Sequence, residues 1–112
     1  MFDPGTNSIK SISVEDVKKS LGEGEDILLV DVRTPGEYEK AKITGSINIP
    51  LDEIPRKAES LFPDKNRKIY VYCLSGSRSE IVAKLLSELG FKNVFDTKNG
   101  LLAWRSKGYP LE

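Results

Sequence analysis

The stretch from Lys68 to Gly90 constrains the fold more than any other part of the chain. Lys68-Ile69-Tyr70-Val71-Tyr72 is β-branched and aromatic with no breaker, so it reads as a buried strand. Cys73-Leu74-Ser75-Gly76-Ser77-Arg78-Ser79 follows, rich in small residues, and then Glu80 to Leu89. In that last segment Ile81, Val82, Leu85, Leu86 and Leu89 fall on one face of a helix, and Gly90 suits a left-handed stop. The chain must therefore run strand, tight turn, helix. Cys73, the only cysteine, stands at the carboxyl end of the strand, on the rim where the helix begins.

That position has its own electrostatics. Ser75, Gly76 and Ser77 let the turn curl until several backbone N–H groups point at one spot. A helix N-terminus adds unpaired N–H donors and about half a positive charge. Arg78 adds a cation that cannot titrate away. Surroundings of this kind favour an anion, and the nearest available one is the Cys73 thiolate. The alternative is a buried structural cysteine, the usual role of a lone thiol, but such a residue gains nothing from the serines, glycine and arginine behind it.

With 112 residues the chain is sized for one domain with a single core. Seventeen basic and seventeen acidic side chains cancel, which argues against nucleic acid or an anionic membrane as partner. The longest aliphatic run, Ile27-Leu28-Leu29-Val30, falls far short of a membrane span. Residues 1–10 hold no apolar segment of the signal-peptide kind. One cysteine forbids an internal disulfide and makes the cytoplasm the expected compartment. Histidine is absent altogether, which removes Cys-His and Ser-His catalysis and leaves no metal or cofactor site to expect.

In chain order, residues 1–10 read as a lead-in and 11–112 as the folded domain. Ile9 to Ser13 suits a short edge strand, and Ser13-Val14-Glu15-Asp16 suits a helix cap, with Gly22 and Gly24 as stops. Ile27 to Val32 reads as a parallel strand covered on both faces. Thr34-Pro35-Gly36-Glu37 opens the next helix, with Thr34 as cap and Glu37 closing the box. A short strand follows within Gly45–Pro50, then a helix over Asp52–Leu61, a strand over Asn93–Asp96 and a helix over Asn99–Ser106. Strands alternating with helices predict an α/β fold: a largely parallel sheet of about five short strands with helices on both faces. Ligands bind such sheets at the carboxyl ends of the strands, where Asp31 and Arg33 end one strand and Cys73 another. Asp31 and Arg33 read either as a second shell that fixes the loop and its ligand, or as a buried ion pair holding the rim together.

Three motifs in order resemble a single-domain rhodanese. They are Leu29-Val30-Asp31-Val32-Arg33 with Pro35-Gly36-Glu37-Tyr38 and Ile43 to Pro50, the Cys73–Ser79 loop, and Asn99-Gly100-Leu101 through Trp104 with Gly108-Tyr109-Pro110. The resemblance implies a three-layer rhodanese-like fold and a sulfurtransferase. In it Cys73 would be the nucleophile and carry a persulfide, with Leu74, Ser75, Gly76, Ser77, Arg78 and Ser79 binding the substrate. The implied partners are a small sulfane-sulfur donor such as thiosulfate and an external thiol or sulfur-acceptor protein, with no second cysteine here to resolve the persulfide. Lys42 stands where the family commonly has histidine, and Asn99 where it commonly has glycine. Asn is the residue best able to replace glycine in a left-handed conformation. Trp104 reads as a packing anchor.

Other functions stay open at this point. A cysteine phosphatase or arsenate reductase would place five residues between cysteine and arginine, whereas four separate Cys73 from Arg78. A non-catalytic binding or regulatory module is a second rival, although such members typically lose the cysteine. Oxidation of Cys73 in redox sensing is a third.

Overall fold

The computed structural model describes residues 9–112; the expected lead-in falls mostly outside this range. Five strands and five helices alternate: β1 (Ser11–Ile12), α1 (Val14–Gly22), β2 (Leu28–Asp31), α2 (Pro35–Lys40), β3 (Ile47–Asn48), α3 (Ile54–Leu61), β4 (Lys68–Tyr72), α4 (Ser77–Glu88), β5 (Asn93–Thr97) and α5 (Gly100–Ser106). A 3₁₀ turn at Leu51–Glu53 leads into α3. The strands form one sheet in the order β1-β5-β4-β2-β3, parallel at every pairing. This is the α/β architecture expected from the alternation of elements.

The central strand shows how the sequence builds the layers. Side chains alternate across a strand, so Ile69 and Val71 of β4 enter the core on one face, and Tyr70 and Tyr72 the core on the other. The first core is closed by Ile54 and Ala58 of α3 and by Val82, Ala83 and Leu86 of α4. The second is closed by Val14 and Val17 of α1 and by Leu101 and Trp104 of α5. Burying each Val or Ile at these positions is worth about 1.5–3 kcal/mol, so β4, covered on both sides, is the best-anchored strand.

The helix starts follow their caps. Ser13 Oγ accepts the Asp16 N–H at 3.1 Å ahead of α1. Thr34 and Glu37 form the full reciprocal box ahead of α2, with Pro35 in the first turn. The helix expected over Asp52–Leu61 divides into the 3₁₀ turn and α3, because Pro55 fits only within a helix's opening turn. No helix among the described residues is long and apolar enough to cross a membrane.

Candidate active site

Cys73 continues the alternation of β4 and points into the α3–α4 core, fully buried at 0 % exposure. The open-rim position expected for it is thus corrected: it lies at the carboxyl end of the strand but beneath the loop. Leu74 and Ser75 carry the chain over the sulfur, and Gly76 turns it with φ +117° as the N-cap of α4. The helix starts at Ser77, four residues before Ile81, where the apolar periodicity becomes visible. Ser77, Arg78 and Ser79 form its first turn and face the loop, so they carry no hydrophobic signal.

The sulfur acts as the cap of this helix. A cap side chain normally accepts the N–H of the third helical residue, but Gly76 has no side chain. Cys73 Sγ takes that place, accepting the Ser79 N–H at 3.4 Å and the Gly76 N–H at 3.0 Å. The Cys73 thiol also lies 3.5 Å from Ser79 Oγ, to which it can donate. Ser79 Oγ donates in turn to Asp96 Oδ1 at 2.5 Å or to the Gly76 carbonyl at 3.2 Å. Two amide donors thus converge on one sulfur at the positive end of a twelve-residue helix.

The loop's backbone is pinned from below by α5. The Leu101 N–H donates to the Cys73 carbonyl at 2.9 Å and the Leu102 N–H to that of Leu74 at 3.0 Å. Such close approach requires glycine at position 100, where a Cβ would lie 2.3 Å from the Cys73 carbonyl oxygen. Asn99 adopts φ +59°, the left-handed conformation anticipated for it.

Arg78 does not present a free charge to the sulfur. Its guanidinium makes a two-pronged pair with Glu37 at 2.7 and 3.1 Å. Arg78, with help from Thr34, holds the Glu37 carboxyl down at about 2 against a modest penalty from burial. The Arg78 charge near Cys73 is therefore shared with a carboxylate, and its fork ties α4 to the start of α2.

Asp31 and Arg33 adopt the ion-pair arrangement. Arg33 Nη2 meets Asp31 Oδ2 at 2.7 Å, Arg33 Nε lies within 3.1 Å of both carboxylate oxygens, and both residues are buried. Arg33 Nη2 also donates to the Ala41 carbonyl, and Asn48 Nδ2 donates to the carbonyls of both Asp31 and Arg33. These groups brace the strand end beside Tyr72, which pairs with Asp31 across the sheet. The Tyr72 hydroxyl accepts the Ile43 N–H at 3.1 Å and bonds Ser46 Oγ; burial pushes its ionisation far up, with Asp31 adding to the effect. Lys42 lies over the Tyr38 ring, 4.8 Å from its centroid. Trp104 is buried, donates to the Pro110 carbonyl at 2.9 Å and packs edge-on against Tyr109.

Sequence reasoning passed over Asp96. Its signal was an acidic residue two positions after Val94, on the same face of a short, mostly apolar strand. A cleft of about 480 Å³ runs beside the loop, lined by Ser75, Gly76, Ser77, Asp96, Lys98 and Asn99 among others.

Residues 13–107 match the rhodanese-like domain. The chain belongs to the rhodanese family. A sulfurtransferase of Allochromatium vinosum is 32 % identical over 103 residues, covering 92 % of this chain and 94 % of that protein. YrkF of Bacillus subtilis, provisionally named a sulfur carrier protein, is 40 % identical over 101 residues; the match takes in 90 % of this chain but 54 % of YrkF, so the chain spans about half of that relative. The crystal structure of a rhodanese-related protein from Thermoplasma volcanium superposes with a TM-score of 0.81 at 33 % identity, covering 92 % of this chain and 97 % of that one. The three-layer rhodanese fold inferred from the motifs is the fold observed.

Proposed function

We propose that this rhodanese is a sulfurtransferase that carries sulfane sulfur on Cys73. The observation that supports it best is the convergence of two amide donors on Sγ, those of Gly76 and Ser79 at 3.0 and 3.4 Å. Fixed dipoles of this kind stabilise charge without reorganisation during the reaction. The Cys73 thiolate attacks the outer sulfur of a donor such as thiosulfate. The donor's S–S bond breaks, sulfite leaves with the electron pair, and the new bond makes a Cys73 persulfide. The terminal sulfur sits as an anion beside the loop amides. A thiophilic acceptor, cyanide in an assay or a thiol or acceptor protein in the cell, then attacks that sulfur and returns the thiolate. With no second cysteine in the chain, the acceptor is external.

The loop also weighs against phosphate chemistry. Four residues separate Cys73 from Arg78, and the arginine that a phosphatase would aim at its substrate is held by Glu37. The names of the relatives, one a sulfurtransferase and one a sulfur carrier, support sulfur as the cargo.

Intact mass after incubation with thiosulfate tests the reading. A gain of one sulfur, removed by cyanide or a reductant and lost in Cys73→Ser, is the expected result. An unchanged mass with thiosulfate and with an organic persulfide would overturn it.

A further inference from the structure

Ser79 is fully buried, and its single hydroxyl proton has three claimants. Its Oγ lies 3.5 Å from Cys73 Sγ, 3.2 Å from the Gly76 carbonyl oxygen and 2.5 Å from Asp96 Oδ1. Asp96 is 5 % exposed, and among the described residues no lysine or arginine pairs with it. Burial pushes its carboxyl up and Glu80 of α4 pushes the same way, while the Ser79 hydrogen bond opposes them. Lys98, just past the end of β5, lines the same cleft, and Arg78 of α4 is engaged by Glu37. A thiolate and a carboxylate at the two ends of one hydroxyl repel each other, and one proton cannot serve both.

We propose that Asp96, acting through Ser79, is a positioning residue that shares one proton with Cys73, the negative charge of the pair being divided between the sulfur and the Asp96 carboxylate. This rests on the reading of Cys73 as the sulfur-carrying nucleophile. The Cys73 S–H proton passes to Ser79 Oγ as the Ser79 hydroxyl proton passes to Asp96 Oδ1. One S–H and one O–H bond break, one Oγ–H and one Oδ1–H bond form, and the S–H electron pair stays on sulfur. Neither oxidant nor reductant is needed. Ser79 then presents its hydroxyl to the thiolate beside the two amides, which the carboxylate form of Asp96 prevents. In a chain without histidine, this gives the thiol proton a destination inside the protein.

Two coupled groups titrate as a pair. The rate of Cys73 alkylation by iodoacetamide in the wild type is therefore expected to rise in two steps with pH. Asp96→Asn keeps the shape and the hydrogen-bond acceptor but cannot ionise. Its profile should show one step, with alkylation at neutral pH faster than wild type by up to about tenfold. In a Ser79→Ala background the effect of Asp96→Asn should shrink severalfold, because the coupling runs through the hydroxyl. Infrared difference spectra of the wild type, recorded between the two steps, should show the carbonyl band of a protonated carboxyl that Asp96→Asn lacks. A merely structural Asp96 predicts that Asp96→Asn alkylates at the wild-type rate or more slowly at every pH, and either result overturns the proposal. An undiminished effect in the Ser79→Ala background, or no protonated carboxyl in the wild type, overturns it as well. Alkylation needs no sulfur donor, so the two readings fail separately. A two-step profile in a protein that gains no sulfur sinks the sulfurtransferase reading alone, and sulfur transfer with a single-step wild-type profile sinks the shared proton alone.

Discussion

Cys73 caps a helix and, in the proposed function, also carries sulfur, and a single substitution separates the two. As helix cap, its sulfur accepts the Gly76 and Ser79 amides, and a serine hydroxyl accepts hydrogen bonds equally well. As the proposed nucleophile it has no substitute. Cys73→Ser is therefore expected to take up no sulfur while losing only about 1 kcal/mol of stability, read by intact mass and by urea unfolding. Appreciable transfer by this variant would rule out the persulfide. Gly100 is less forgiving, although it carries no chemistry. An added Cβ would meet the Cys73 carbonyl oxygen at 2.3 Å and that of Leu74 at 2.8 Å, both backbone atoms that cannot step aside alone. The residue also adopts φ +48°. Gly100→Ala should cost about 2–4 kcal/mol, overpacking and left-handed strain together, and should slow sulfur uptake by shifting the loop. Wild-type stability and rate in this variant would mean that α5 does not set the loop's position.

Among elements, the tie between α2 and α4 makes the clearest pH statement. Glu37 titrates near 2 in the folded protein, against 4.5 for an ordinary glutamate, chiefly because of Arg78. A carboxyl lowered on folding stabilises fully above its unfolded value and loses that contribution as pH falls toward its folded value. Wild type should thus exceed Glu37→Gln by about 1 kcal/mol at neutral pH, the upper end for a partly exposed pair. The gap should close between about 4.5 and about 2, followed by urea midpoints across that range. A gap that stayed constant through the window would show that the glutamine variant lost packing rather than charge. The same tie shows what was legible beforehand. Thr34, Pro35 and Glu37 announce the start of α2 because a capping box is local, and β4 announces itself by its apolar run. Contacts across 41 residues from Arg78 to Glu37, or 17 from Ser79 to Asp96, leave no local trace. The start of α4 at Ser77 was hidden for a related reason. Its first turn faces the site, so periodicity reported the helix only where it packs on the core. Strand order β1-β5-β4-β2-β3 was likewise beyond reach, since alternation dictates parallel strands but not their neighbours.

At the scale of the whole molecule, the sulfur of Cys73 belongs to the core. Cys73 packs in one cluster with Val30, Val71, Val82 and Leu86, yet the loop amides above it have the polarity of an anion site. One extra sulfur atom is an anion those amides can hold. A carboxamidomethyl group is neutral, bulkier and unable to replace the capping interaction, so it must displace either the loop or its neighbours in the core. Overpacking of this kind costs about 1–3 kcal/mol. In a domain this small each kcal/mol moves Tm by roughly 4 °C. Calorimetry on three preparations (unmodified, persulfidated and alkylated) should give nearly equal Tm for the first two. The alkylated form should melt lower by about 4–12 °C, the product of those two figures. If all three melted together, the sulfur would lie in open solvent rather than under the loop, and the two amides would lose their claim to activate it. If the persulfide melted as low as the alkylated form, the two amides would fit the thiolate alone, and the sulfur would have to be handed on before the loop could close.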